Sequence, residues 1–390
     1  MNEVVKYYTD YGSNVFSVLL DASKAFDRVH YAKLFRLLRD RDLCPTVCRY
    51  LALQYTCQMC CVKWMSTVSQ NFTVSNGVKQ GGVLSPYLFT LYMDRLLERL
   101  KLSGFGCHVG HVFSGAFAYA DDLISLAPTR CSMKKMLELC EQFSVDYDIC
   151  FNPSKRKAVC FGSSLSANSS FSFGGKTIDV AQIEQHLGYF IGTDSDVSQI
   201  QQTIGQLNGN VNLLMAQFSR TNIDIKYKLF KSFCMSVYGS PLWNYSDKVC
   251  EAFYVAWRKC IRRLLNVPPK THCALLNIIC DDLPVDVQLH KRFIKFYQSC
   301  LKSGNICIQM CSKLVMNGSG SDVCDSLTFL AHKYNFQRED VLRLNIQRLN
   351  VFDVTDSVLQ RAGLIRDLLL YNSDNDDANV KTLIDELCVN

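Results

Sequence analysis

The chain has 390 residues, with 42 Lys and Arg against 36 Asp and Glu; 48% of residues are hydrophobic and 20% charged. That balance excludes a disordered chain, and the scarcity of Pro (8) beside a modest Gly count (20) excludes collagen-like and linker-dominated ones. A net charge of +6 permits a polyanionic partner without requiring one.

The 20 cysteines fall at irregular spacing. The start MNEVVKYYTD lacks a charged segment followed by an apolar run, so a secreted disulfide framework is not expected. No apolar run reaches the roughly 18 residues that a membrane span needs, so no membrane partner is expected. Reduced thiols in an intracellular protein, nuclear and/or cytoplasmic, fit this composition. Neither Cys57, Cys60 and Cys61, nor Cys107 with His108 and His111, nor Cys300, Cys307, Cys311 and Cys324 show the two tight ligand pairs of a zinc site.

In chain order, VFSVLL (15–20) reads as a buried strand ending at Asp21. Leu34, Leu37 and Leu38 then mark an amphipathic helix. Residues 57–64 and 68–74 read as two short strands, with turn chemistry at Asn76-Gly77. Ser85 as N-cap and Pro86 at the first helical position predict a helix to about Leu102, closed by Gly104. Residues 112–126 read as a hairpin with Asp121 and Asp122 near its turn. A helix over about 132–146, a strand KAVCFG and two more short strands over 171–193 follow.

From about Ser195 the pattern is helical. Helices are predicted through QQTIGQLNGNVNLLMAQF, over 225–238, and from Ser246 to just before Pro268-Pro269. Residues 281–390 are mainly helical and close in a frayed acidic tail with Asp374, Asp376 and Asp377. Arg258, Lys259, Arg262 and Arg263 share one helix side beside Trp257, and Lys291, Arg292 and Lys295 repeat the pattern.

Three features gain meaning together: Asp21 ending an apolar strand, the glycine loop NGVKQGG (76–82) entering a helix, and Asp121-Asp122 at a hairpin turn. Carboxylates on adjacent strand ends repel, and a divalent cation removes the repulsion. Such oxygen-rich sites suit Mg²⁺, and paired ions are the usual device for phosphoryl and nucleotidyl transfer.

The segments SVLLDASKAFDRV, SNGVKQGGVLSPYLFTLYMD, FAYADD, FNPSKRKAV and HLGYFIG occur in this order. They resemble the palm motifs of reverse transcriptases of non-LTR (LINE-type) retrotransposons. KLFKSFCMSVYGSPLW and WRKCIRRLLNVPPKTH extend a looser resemblance to about residue 300. The implied fold is α+β: a reverse-transcriptase palm, ferredoxin-like βαββαβ, over residues 1–195, then an all-α thumb over 196–300. A helical C-terminal region covers 301–390.

The resemblance implies RNA-directed DNA polymerase chemistry, in which dNTPs are added to a primer 3′-hydroxyl. The expected partners are an RNA template, a DNA primer or RNA–DNA hybrid, and dNTPs. The expected cofactor is a pair of Mg²⁺ ions, with Mn²⁺ as a substitute. By the same resemblance Asp21 and Asp121 are principal metal ligands, Asp122 is a third, and the Ala22 carbonyl completes one coordination sphere. Phe26 is the ring that excludes a ribose 2′-hydroxyl. Gln80, Gly81 and Gly82 lie along the incoming nucleotide and template. Lys155 protonates the leaving pyrophosphate. Leu187 and Gly188 grip the primer end, and Arg258, Lys259, Arg262 and Arg263 track its phosphates. Family members carry a fingers region before the first palm motif, whereas about twenty residues precede Asp21 here. An N-terminally truncated element is therefore expected, and an inactive fragment that only binds nucleic acid is the alternative.

Overall fold

An unbroken apolar run is the signature of a strand covered on both faces. In the computed structural model, Val15 to Leu20 are all buried within β1 (Val15–Ser23). The structure describes residues 1–162, 170–192, 195–346, 356–375 and 377–389. Two compact units divide the chain, 1–184 and 185–390.

In the first unit α1 (Asn2–Asp10) precedes β1, and α2 (Tyr31–Asp40) and α3 (Pro45–Thr56) follow it. Four two-residue strands come next: β2 (Met59–Cys60), β3 (Lys63–Trp64), β4 (Thr67–Val68) and β5 (Phe72–Thr73). Then come α4 (Ser85–Leu102), the small pair β6 (His108–Val109) and β7 (Val112–Phe113), and the hairpin β8 (Ala116–Tyr119) and β9 (Asp122–Ala127). The unit continues with α5 (Arg130–Tyr147), β10 (Cys150–Phe151), β11 (Lys157–Phe161), β12 (Phe171–Phe173) and β13 (Lys176–Ala181).

The main sheet has the order β12-β13-β11-β1-β9-β8, with β10 also paired to β1. Strand β1 is antiparallel to both β9 and β11. Reading β1, helices, β8, β9, α5 and β11 along the chain gives the ferredoxin-like βαββαβ arrangement. One core fills the unit. Phe16, Val18 and Leu20 of β1 join Leu34, Leu37 and Leu38 of α2, Phe89, Tyr92 and Leu96 of α4, and Met136, Cys140 and Phe143 of α5.

Several expected boundaries move. The two strands expected over 57–64 and 68–74 form an interrupted ribbon, β2 with β5 and β3 with β4. The Ser69 hydroxyl accepts the Val62 N–H at 2.9 Å where the ladder is interrupted. The ribbon turns at Met65, left-handed at φ +54, and the chain bends again at Asn76-Gly77, where Gly77 is left-handed at φ +91. The hairpin expected over 112–126 starts later, because Val112 and Phe113 pair back with His108 and Val109. Residues 171–192 hold four strands where two were expected.

The second unit takes in the hairpin of β14 (Ile183–His186), within which the units divide, and β15 (Tyr189–Gly192). Nine helices follow among the described residues: α6 (Ser195–Gln217), α7 (Ile223–Leu229), α8 (Val249–Leu265), α9 (Cys273–Ile279), α10 (Val285–Leu301), α11 (Ile306–Met316), α12 (Asp322–Lys333), α13 (Asp356–Asn375) and α14 (Ala378–Val389). The helix expected over 225–238 is shorter. It widens into a π turn at Phe230–Cys234, where the Met235 N–H reaches back to the Phe230 carbonyl, and ends there.

Residues on both sides of position 300 share one core, including Phe230, Trp243, Trp257, Phe293, Leu327, Ile365 and Ile384. The acidic tail is not frayed at Asp377. Its N–H donates to the Asn372 side chain at 2.6 Å, and α14 buries Ile384 and Cys388 beyond it; Asp376 lies outside the described residues. All 20 cysteines are free thiols. Among the described residues no helix is long and apolar enough to cross a membrane.

His290 is a buried basic group of this helical core, 1% exposed, with Nδ1 2.9 Å from the Tyr334 hydroxyl. Burial, then the neighbouring Lys333 ammonium, push its pKa down to about 3, against a smaller opposing pull from Asp286. A depressed base means that the unfolded chain binds the extra proton first. Stability is therefore full above the unfolded value near 6.5 and falls as pH drops from there toward 3. We expect the denaturant midpoint, read by tryptophan fluorescence, to drop progressively below pH 6.5. His290→Gln flattens that slope over the same range.

Candidate active site

Strand register builds the site. In the β1–β9 pair, Asp21 lies directly opposite Asp122. Directly opposed side chains share one face, with Cβ atoms about 4.5–5.5 Å apart, so two carboxylates are held side by side. The hairpin turn joining Tyr119 to Asp122 consists of Ala120 and Asp121. Ala120 is left-handed at φ +51, a conformation that costs an L-residue about 1 kcal/mol or more. The Ala22 N–H donates to the Asp121 carbonyl at 3.0 Å, tying the turn to β1. Tyr119 is 69% exposed, so it does not pack into the core.

Lys155 joins this pair from the other side of β1. Its Nζ stands 3.2 Å from Asp21 Oδ1, with Lys155 62% and Asp21 19% exposed. The preceding segment explains the placement. Strand β10 pairs Phe151 with Ala22, and the Asn152 N–H donates to the Asp21 carbonyl at 2.7 Å. The Asn152 side chain then accepts from the Ser154 N–H at 3.1 Å and the Ser154 hydroxyl at 2.8 Å, capping the 3-10 turn Pro153–Lys155. Arg156 donates to the Phe151 and Phe173 carbonyls at 2.6 and 2.8 Å and lies 4.3 Å from the Phe173 ring centre. Burial pulls its guanidinium pKa below the usual value. Sequence reasoning assigned Lys155 and missed Asn152 and Arg156. The Asn-Pro dipeptide, a turn-initiation signal, was the available clue.

The glycine loop docks on the segment after β1. The Val78 N–H donates to the Phe26 carbonyl at 2.7 Å, and the Gly77 N–H to the Val29 carbonyl at 2.9 Å. Gly77 has φ +91, and a Cβ there would stand 2.9 Å from Asp27 Cα and 3.0 Å from the Phe26 carbonyl oxygen. The half-buried Phe26 ring lies 5.0 Å from that of Phe89. Gln80 and Gly81 are exposed and Gly82 is half-buried. Ser85 does not cap α4. Its buried hydroxyl donates to the Lys79 carbonyl at 2.5 Å, and Leu84 takes the N-cap position. The serine closes the loop on itself instead of capping the helix.

Through backbone pairing the structure thus sets Asp21, Ala22, Asp121, Asp122 and Lys155 on adjoining stretches, β1, the β8–β9 turn and β9, and the segment after β10, and joins the Phe26 segment to the 76–82 loop. As donors, the three aspartates suit a hard divalent cation. Among the described residues, however, no three His, Cys, Asp or Glu side chains are gathered to hold a metal.

The remaining residues lie in the second unit. Leu187 and Gly188 form the β14–β15 turn, both left-handed at φ +50 and +78, with Leu187 39% exposed. A Cβ on Gly188 would meet the Tyr238 ring at 3.4 Å. On α8, Arg258 pairs with Glu251 at 3.0 Å, Arg262 donates to the Thr271 carbonyl at 2.8 Å, and Arg263 to Asn212 at 2.7 Å. Lys259 is exposed, and Trp257 is buried in the core. Of the repeat on α10, Arg292 donates to the Met235 carbonyl at 3.3 Å.

Residues 3–194 match the family model of the reverse transcriptase (RNA-dependent DNA polymerase). This chain is 38% identical over 119 residues to the Pol polyprotein of the type-2 retrotransposable element R2DM of Drosophila melanogaster, covering 30% of this chain and 11% of that protein. It is 32% identical over 127 residues to the Pol polyprotein of the type-1 retrotransposable element R2 of Nasonia vitripennis, covering 33% of this chain and 12% of that protein. The chain therefore spans about a tenth of the length of these relatives. Telomerase of Candida tropicalis, solved with a fragment of telomeric RNA, overlaps 93% of this chain and 50% of its own, at 13% identity and a TM-score of 0.42. Residues 3–194, just under half of the chain, are thus similar to a reverse transcriptase domain of the RNA-directed DNA polymerase family. The relatives matched are Pol polyproteins of retrotransposable elements, and the βαββαβ sheet lies within the residues that match the family model.

The docked loop generates a prediction. Gly77→Ala forces a Cβ into the Asp27 backbone at a left-handed position, at a cost of about 1–3 kcal/mol. A lower denaturant midpoint checks it. Gly81→Ala, where nothing lies within 4 Å of the new Cβ, is expected to cost less.

Proposed function

We propose that this chain supplies the polymerising centre of a retrotransposon reverse transcriptase, extending a DNA primer on an RNA template. The observation that supports it most is the register placing Asp21 opposite Asp122, with the Asp121 turn tied to β1 and Lys155 against Asp21. In the reaction the primer 3′-hydroxyl attacks the α-phosphate of a dNTP. A new P–O bond forms, and the bond to pyrophosphate breaks.

Asp21 and Asp121, with Asp122 and the Ala22 carbonyl, would hold divalent cations, Mg²⁺ or in its place Mn²⁺. Such ions, when bound, lower the pKa of the attacking hydroxyl and neutralise the charge that develops on the phosphates. Lys155 has an exposed ammonium within reach of this centre, suited to giving its proton to the departing pyrophosphate oxygen. Phe26, its ring braced by Phe89, acts by bulk against a ribose 2′-hydroxyl. Gln80, Gly81 and Gly82 present exposed polar backbone and an amide to nucleotide and template. In the second unit, the Leu187–Gly188 turn would grip the primer end. Lys259 and Arg263, exposed on α8 with Arg258 and Arg262 beside them, would follow phosphates without reading sequence. We read 196–300 as the thumb and 301–390 as helices that complete its core.

The second reading, a fragment that binds nucleic acid without extending it, draws on the ungathered aspartate side chains. Primer extension on poly(rA)·oligo(dT) with Mg²⁺ separates the two. Extension by the chain, lost by at least about a hundredfold in Asp121→Asn, is the result expected of an enzyme. Retained, salt-sensitive hybrid binding with no extension by either would establish the second reading. For Phe26→Val we expect ribonucleotide incorporation to rise about tenfold or more relative to dNTPs, measured by the ratio of kcat/KM values.

A further inference from the structure

We propose that Lys155 is a built-in counter-ion of Asp21 in the carboxylate pair, and that Asn152 holds it there, so that a divalent cation entering the centre must displace it. The inference rests on the polymerase reading and adds a control on when the centre loads.

Two like charges directly opposed on a strand pair destabilise it. Asp21 and Asp122 are so opposed. Asp21 Oδ1 has an ammonium 3.2 Å away, close enough for a charge-assisted hydrogen bond. That ammonium comes from the exposed end of a short turn, not from a packed helix, so it can leave without disturbing the core. Its position is nevertheless specified. The turn is anchored to the same residue it neutralises, through the Asn152 N–H on the Asp21 carbonyl at 2.7 Å. The Asn152 side chain fixes the turn's shape through Ser154. Arg156, just after it, pins the next step to Phe151 and Phe173. A lysine held on both flanks and free at its tip is a movable charge with one resting place. Once displaced it remains tethered beside the reacting phosphates, where a proton donor is wanted. Asn152 is thus a positioning residue acting through Lys155.

The exposure of Lys155 limits the strength of the pair. Exposed ion pairs are worth up to about 1 kcal/mol, which corresponds to a competition of about two- to fivefold on cation affinity. The test is Mn²⁺ alone, titrated into the full chain and read as loss of free Mn²⁺ signal by electron paramagnetic resonance. Lys155→Gln is expected to tighten Mn²⁺ binding about two- to fivefold, less so at high ionic strength. Asn152→Ala, which keeps the lysine but loosens its turn, is expected to shift affinity the same way by less. Lys157→Gln removes the same charge two residues on, from a lysine that faces Asp179 at 3.5 Å, and is expected to change nothing.

Unchanged or weaker binding in Lys155→Gln overturns the proposal, as does equal tightening in Lys155→Gln and Lys157→Gln, which would reduce it to general charge. Binding by the wild type that is lost in Asp21→Asn keeps the cation site standing whatever Lys155 does. No binding by the wild type or by Lys155→Gln removes the cation site itself, and the proposal with it. Lys155 is 62% exposed, so its replacement leaves folding intact, and matched thermal melts verify this.

Discussion

The chemistry proposed for the first unit follows from one pairing register, Asp21 opposite Asp122 across two antiparallel strands. Side-chain direction alternates along a strand, so a one-residue slip would send one carboxylate to the opposite face. The slip is opposed by the apolar residues of β1 and β9, which are buried from Val15 to Leu20 and from Leu123 to Ala127. Core packing thus holds two carboxylates opposite each other, a pairing the strands alone would disfavour. The fold carries that local cost, together with the left-handed Ala120, at the place where charge is to be handled.

Around this pair the structure supplies backbone anchors rather than rigid side chains. Ala22 ties down the Asp121 turn, Asn152 ties the lysine turn to Asp21, and Val78 and Gly77 tie the glycine loop to the Phe26 segment. Three separate stretches of sequence are referenced to the end of one strand. The acidic and basic groups can then rearrange locally while their Cα positions stay put. That arrangement would suit the proposed polymerising centre, which would accept cations, a nucleotide and a primer in turn.

The sequence made the skeleton legible where the signal was periodic or chemically pointed. The run 15–20, the leucines of α2 and α4 and the Asp-Asp hairpin all carried their own meaning. It misled where side chains compete with backbone. Ser85 has the type and position of a cap, yet its hydroxyl serves the Lys79 carbonyl. Ser69 enters the ladder of the ribbon, and a π turn replaces the end of α7. Arg258, Arg262 and Arg263 share a helix side, but each has a partner within the helical unit, which no spacing rule reveals. Asn152 lies inside the motif FNPSKRKAV, but its placement depends on β10 lying against β1, a long-range pairing. The assignment of 3–194 to the reverse transcriptases therefore rests on motif order, and the workings of the site on pairing that only the fold discloses.

The central claim is that the Asp21–Asp122 pair and the Asp121 turn form a divalent-cation centre. Affinity cleavage measures this directly: Fe²⁺ loaded in place of Mg²⁺, with ascorbate and peroxide, cuts backbone close to the bound ion. The account predicts fragments ending near Asp21 and near Asp121, both suppressed by excess Mg²⁺ and absent in Asp21→Asn. Cleavage elsewhere, or cleavage at these points that excess Mg²⁺ and the substitution leave untouched, would contradict it.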